Sequence, residues 1–142
     1  MTSLHVRQLS ESEIERITSS SQHAEDRGLL ENLEMLDKTA AQLRTDPSAD
    51  ITAELDILGA ALGLHLSQLT GMQWAAVTDG VESAIVLIGT AGESTIVVYP
   101  FDVVQRRWND ENDEIFRAYV AEVLASIQQS QKTANENQTA VE

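Results

Sequence analysis

The chain has 142 residues, 42% of them hydrophobic, which is enough for one core of ordinary size, and a formal net charge of −14. That charge argues against DNA or RNA binding and against docking on anionic membranes, both of which need clustered Lys and Arg. Cysteine is absent, so disulfides, thiolate nucleophiles and cysteine-held zinc or iron–sulfur centres are excluded and stability rests on packing.

No run approaches the ~20 apolar residues of a bilayer span, and residues 1–15 lack the apolar centre of a signal peptide, so the cytoplasm is the expected location. The expected organisation is a flexible N-terminus (1–9), a single α+β domain (10–129) and a disordered tail (130–142).

Ser10-Glu11-Ser12-Glu13 has the form of a capping box and predicts the start of a short first helix, which Ser19-Ser20-Ser21 would end. Leu29, Leu30, Leu33, Leu36, Ala40 and Leu43 then recur at helical spacing. Arg44 to Asp50 is turn chemistry around Pro47, with Ser48 or Asp50 able to cap the next helix. Ile51, Leu55, Leu58, Leu62, Leu66 and Leu69 form the stripe of a buried third helix that stops at Gly71. Gly59 and Gly63 lie one turn apart within it, which predicts close backbone approach by another element.

After Gly71 the period becomes strand-like. Runs at residues 73–78, 83–88 and 94–99 are separated by Asp79-Gly80 and by a turn at residues 89–93, giving a three-stranded antiparallel meander. Trp74, opening the first strand beside the small Ala76, is expected in the core. Pro100 cannot donate to a ladder and predicts an edge or bulge, with the strand resuming at Phe101 to Val104. Past Trp108 an acidic stretch, capped by Asp110 or Asn112, leads into a final amphipathic helix carrying Ile115, Phe116, Tyr119, Val120, Val123, Leu124 and Ile127. From Gln128 the apolar content is too low to offset ordering entropy. The predicted order is α-α-α-β-β-β-α.

Three features, Leu62-Gly63 ending a helix, the Trp74 strand running into Val77-Thr78-Asp79, and Tyr99-Pro100-Phe101 followed by Val103-Val104 and a basic pair, resemble a bacterial family catalogued as domain of unknown function 3806. The resemblance covers roughly residues 58–124 and implies an α-β-β-β-α core; it carries over no catalytic residue. Ala75-Ala76 depart from it, standing where bulkier residues are expected.

Chemistry finds little purchase. There is no Gly-x-Ser-x-Gly elbow, and no two of His5, His23 and His65 stand at metal-ligand spacing. His5 falls in the flexible terminus, His23 at a helix junction, and His65 beside the leucine stripe as a satisfied histidine. Asp110, Glu111, Asp113 and Glu114 lack the central glycine of a calcium loop and read as a solvated helix start. No cofactor or metal is expected and no catalytic residue is assigned.

Arg106-Arg107-Trp108 is the one basic doublet in the sequence; together with Tyr99 and Phe101 it forms the candidate partner-binding set, weighed against an arginine paired internally and a tryptophan closing the core. Both pleat faces of the strands are apolar, so one needs a cover besides the long and last helices: either residues 29–43 or a second copy in a homodimer. The expected function is a non-enzymatic protein-interaction module, similar in size, acidity and fold class to secretion chaperones. A small carboxylate-dependent enzyme and an acidic immunity or nucleic-acid-mimic protein are the alternatives.

Overall fold

Ser10 begins the helical part of the chain as its motif predicts: its Oγ accepts from Glu13 N at 3.2 Å while Glu13 Oε1 accepts from Ser10 N at 2.9 Å. The computed structural model describes residues 5–46, 48, 50–91, 94–108 and 114–141. The elements are β1 (His5–Arg7), α1 (Glu11–Asp26), α2 (Leu33–Arg44), α3 (Ile51–Thr70), β2 (Gln73–Thr78), β3 (Ser83–Ala91), β4 (Ser94–Val98), α4 (Pro100–Arg107) and α5 (Ile115–Val141). The class is α+β as predicted. The strands form one antiparallel sheet of order β1-β2-β3-β4.

Three expectations are corrected. The sheet has four strands because His5, Val6 and Arg7, placed by the sequence in a flexible terminus, pair with Thr78, Val77 and Ala76; three residues are too few to show an alternation of their own. α1 runs through Ser19-Ser20-Ser21, with Ser20 buried, since serine only mildly disfavours a helix interior. The break comes instead at Gly28, whose φ of 74° is the left-handed conformation that glycine tolerates. Finally, Pro100 starts α4 rather than interrupting a strand, because a missing N–H costs nothing in the first turn of a helix.

The helical backbone of α5 continues to Val141, through the tail for which apolar content predicts disorder; the Gln, Ala and Lys there are good helix formers, which a count of apolar residues does not register. The proposed Asp110 and Asn112 caps and Gly92-Glu93 of the second turn lie outside the described residues, as does Pro47. Asp79 organises the β2–β3 turn, its Oδ1 accepting from Val81 N and Glu82 N at 2.8 Å each.

α3 is the centre of the packing. Asp50 caps its start, Gly71 ends it with φ 77°, and Leu58, Leu62 and Leu66 are fully buried along it. The main core joins these leucines to Leu36 and Ala40 of α2, Leu87 and Val98 of the sheet, Val103 and Val104 of α4, and Phe116 and Val120 of α5. A smaller cluster holds Ile17, Ala60, Ile85 and Phe101, and Trp74 packs against both. The buried His65 places Nε2 2.9 Å from the Leu29 carbonyl, the satisfied role expected of it.

The strand residues of both clusters, Trp74, Ile85, Leu87, Ile96 and Val98, share one pleat face by the observed register. The other face carries Val6, Ala75, Val77, Ala84, Val86, Ile88 and Val97, and none of them belongs to either cluster. α2 packs with α3 and α5 in the main core, so it is not the cover that the sequence offered for that second face.

Asp37 ties α2 to α5. Its carboxylate is 4% exposed, accepts from Phe116 N at 2.8 Å and Arg117 N at 3.4 Å, and pairs with Arg117 Nε at 2.9 Å. A side chain from a different helix thus satisfies the orphan donors at the start of α5. Asp37→Ala is expected to cost about 1–3 kcal/mol and Asp37→Asn less, with faster amide exchange in the first turn of α5. Unchanged urea unfolding of the alanine variant would contradict the assignment.

The glycines give a second expectation. Alanine normally stabilises a helix interior over glycine by about 1 kcal/mol. Here a Cβ on Gly63 would stand 2.2 Å from Trp74 Cη2, and one on Gly59 2.6 Å from Phe101 Cδ1 and 3.0 Å from Phe101 Cα. Gly59→Ala and Gly63→Ala should therefore each lower stability, by about 1–3 kcal/mol. A raised unfolding midpoint in either would mean that the close approach is absent.

Candidate functional site

β1 accompanies β2 only from Thr78 back to Ala76, and the chain then turns away into α1. Beside residues 73–75 no strand lies on that side among the described residues. The departure opens a cleft of about 530 Å³ lined by residues 6–9, Ile14 of α1, and Trp74 and Ala75 of β2. Val6 is 57% exposed and Ile14 49%, while Trp74 is half-buried. The small Ala75, at a position where the resemblance leads one to expect more bulk, leaves this wall low.

The walls are built from charge and packing together. Arg7 holds β1 to α1 through a two-pronged pair, Nη1 to Glu13 Oε1 at 2.7 Å and Nη2 to Glu13 Oε2 at 2.9 Å. The Arg7 guanidinium, and after it the Ser10 N–H and hydroxyl, hold the Glu13 carboxyl down at about 2, against an ordinary value of 4.5. Behind the cleft the Trp74 indole lies on the bare backbone of Gly63, and its ring centroid is 5.9 Å from that of Phe101. Arg16 closes the far side of this stack, its guanidinium 4.3 Å from the Phe101 centroid and 2.6 Å from Asp56 Oδ1. Trp74 is thus fixed from behind and wet in front, a half-core position in place of the fully buried one expected.

The five residues proposed from sequence do not converge. Phe101 is buried in the smaller cluster. Tyr99 is the half-buried N-cap of α4. Arg106 pairs with Asp102 one turn back at 3.0 Å, and Arg107 reaches Glu122 at 2.8 Å while lying over the Tyr119 ring. Trp108 packs against the main core, with the Arg44 guanidinium 5.2 Å from its centroid. The alternative weighed for the doublet, internal ion pairs and a tryptophan closing the core, describes this arrangement.

The sequence did carry a signal for the cleft. Leu9 just before the Ser10 cap and Ile14 four residues into the helix have the spacing of a hydrophobic staple, and both line the opening. Among the lining residues Arg7 alone is charged and it is already paired with Glu13, so the opening presents mainly apolar side chains.

The family model for a domain of unknown function, DUF3806, matches residues 32–119, more than half of the chain. The chain belongs to the DUF3806 family. No curated protein and no solved structure matches it. The DUF3806 stretch begins at the N-cap of α2 and contains the whole of β2, β3, β4 and α4, but neither β1 nor α1. The cleft therefore lies between a DUF3806 strand and a strand–helix unit that precedes the matched stretch. Among the described residues no helix is long and apolar enough to cross a membrane.

The Glu13 pair sets a pH dependence. Because its carboxyl titrates lower in the folded chain than in the unfolded one, the stability it contributes is complete above about pH 4.5 and is lost as the pH falls toward 2. Glu13→Gln should flatten the stability profile of the wild type across that window and loosen β1. Identical profiles for the two proteins would show that the pair contributes nothing.

Proposed function

We propose that this DUF3806 chain is a cytoplasmic, non-enzymatic protein-interaction module that holds another polypeptide in the cleft between β1, α1 and β2. One observation carries the reading. Ile14, among the large hydrophobic side chains most exposed in the described residues, opens onto the cleft beside a half-buried tryptophan, and the exposed Val6 borders the same opening from the opposite pleat face. Large apolar side chains scattered singly need no explanation, whereas apolar side chains gathered around a concave site with an aromatic wall are what a partner would fill. The rigid backing of Trp74 supports the same reading, since a fixed aromatic surface loses little freedom on binding.

The test compares capture of host proteins by the wild type, Ile14→Asp and Val81→Asp. Val81 is 90% exposed in the β2–β3 turn, outside the cleft, and serves as the control. A discrete partner should be retained by the wild type and by Val81→Asp and lost with Ile14→Asp, while all three unfold alike in urea. Retention by Ile14→Asp would refute the cleft as the binding site.

A second reading, a homodimer through the outer pleat face, rests on the exposed Val6 and the half-buried Ile88 and Val97 there; Val77 and Val86 of the same face are already buried within the single chain. Under it light scattering gives twice the chain mass and Ile88→Asp returns one; a monomeric wild type removes it.

A further inference from the structure

We infer that the occupant of the cleft is an extended peptide segment with one or two bulky apolar side chains flanked by Lys or Arg; this rests on the cleft being the interaction site.

Three observations define that chemistry. The opening is bordered by the β2 edge at residues 73–75, which β1 leaves uncovered. An extended main chain can pair there along the line that β1 abandons, about four residues being enough at a rise of ~3.3 Å each. Ile14 and Trp74 then receive the side chains that point to the core face of the sheet, while Val6 borders those that point to the opposite face. The charge comes from α1. Glu11, one turn before Ile14, and Glu15, next to it, are exposed and make no ion pair among the described residues, whereas the cationic Arg7 is neutralised by Glu13. On a chain of net charge −14 a second copy adds like charge to this edge, and an acidic segment does the same, so a cationic flank is the complementary one.

The probe is a fluorescein-labelled acetylated peptide with a Val-Phe-Val centre and Lys on both sides. It is compared with the same centre flanked by Glu and with a Ser-Gly-Ser centre flanked by Lys, using anisotropy at low and physiological salt. The Lys-flanked apolar peptide should bind, and lose about tenfold in affinity to Ile14→Asp and several-fold to Glu11→Lys with Glu15→Lys or to added salt. The Glu-flanked peptide and the Ser-Gly-Ser peptide should bind at least tenfold more weakly than it does. Amide shifts on titration should centre on Val6 and Ala75.

Equal binding of the Lys-flanked and Glu-flanked peptides overturns the charge requirement, and binding indifferent to Ile14→Asp overturns the location. If no peptide binds while Ile14-dependent capture of a host protein persists, the extended cationic segment is wrong and the interaction module stands. If Ile14-dependent capture is itself absent, the underlying reading falls with it.

Discussion

The bare backbone of α3 at Gly59 and Gly63 determines how near the other elements can come. On Gly59 lies Phe101 of α4, and on Gly63 the ring of Trp74 from β2, each at a separation that a methyl group would fill. The two rings meet at a 5.9 Å centroid distance, so one glycine pair positions a strand and a helix at once. The sheet then sits close enough for Leu87 and Val98 to join the α3 leucines in the main core, and Arg16 of α1 closes over Phe101 from the other side. The stiffness of the cleft wall is a consequence. Trp74 can present an apolar surface to solvent because its opposite side is seated on helix backbone that a bulkier residue would push away.

In so acidic a chain the cations serve mainly to join elements. Arg7 binds β1 to α1, Arg16 and Arg27 bind α1 to α3 through Asp56 and Glu54, Arg107 binds α4 to α5, and Arg117 completes the Asp37 clamp between α2 and α5. Exposed pairs of this kind contribute little stability singly. Their effect here is orientation, and the Arg106-Arg107-Trp108 run shares in it: the arginines meet acids of α4 and α5 while the indole adjoins the core. Glu11 and Glu15 of α1 are exposed acids that make no ion pair among the described residues.

Elements governed by local rules were legible in the sequence. The Ser10 capping box, the α3 stripe ending at Gly71, the close approach at Gly59 and Gly63, and the Asp79-Gly80 turn all stand where periodicity and turn chemistry put them. Features depending on distant partners were not. β1 is three residues whose strand character exists only through Ala76, Val77 and Thr78, and the cap of α5 comes from Asp37, 79 positions away from Phe116. Pro100 was read as a strand interruption because the apolar Phe101, Val103 and Val104 continue beyond it, yet that spacing also suits one face of a short helix. The cleft inherits these difficulties. Residues 6–9, of β1 and the segment after it, make one wall, and its one local cue, the Leu9 and Ile14 staple pair, concerns how a chain enters a helix.

The central claim is that the β1–α1–β2 cleft, and not another surface, receives the partner. Photo-crosslinking in the native host, with a photoreactive amino acid placed at Ile14 in one protein and at Val81 in another, measures this most directly. The account predicts one discrete adduct from position 14 that is missing from position 81, and an adduct formed equally from both positions, or from Val81 alone, would contradict it.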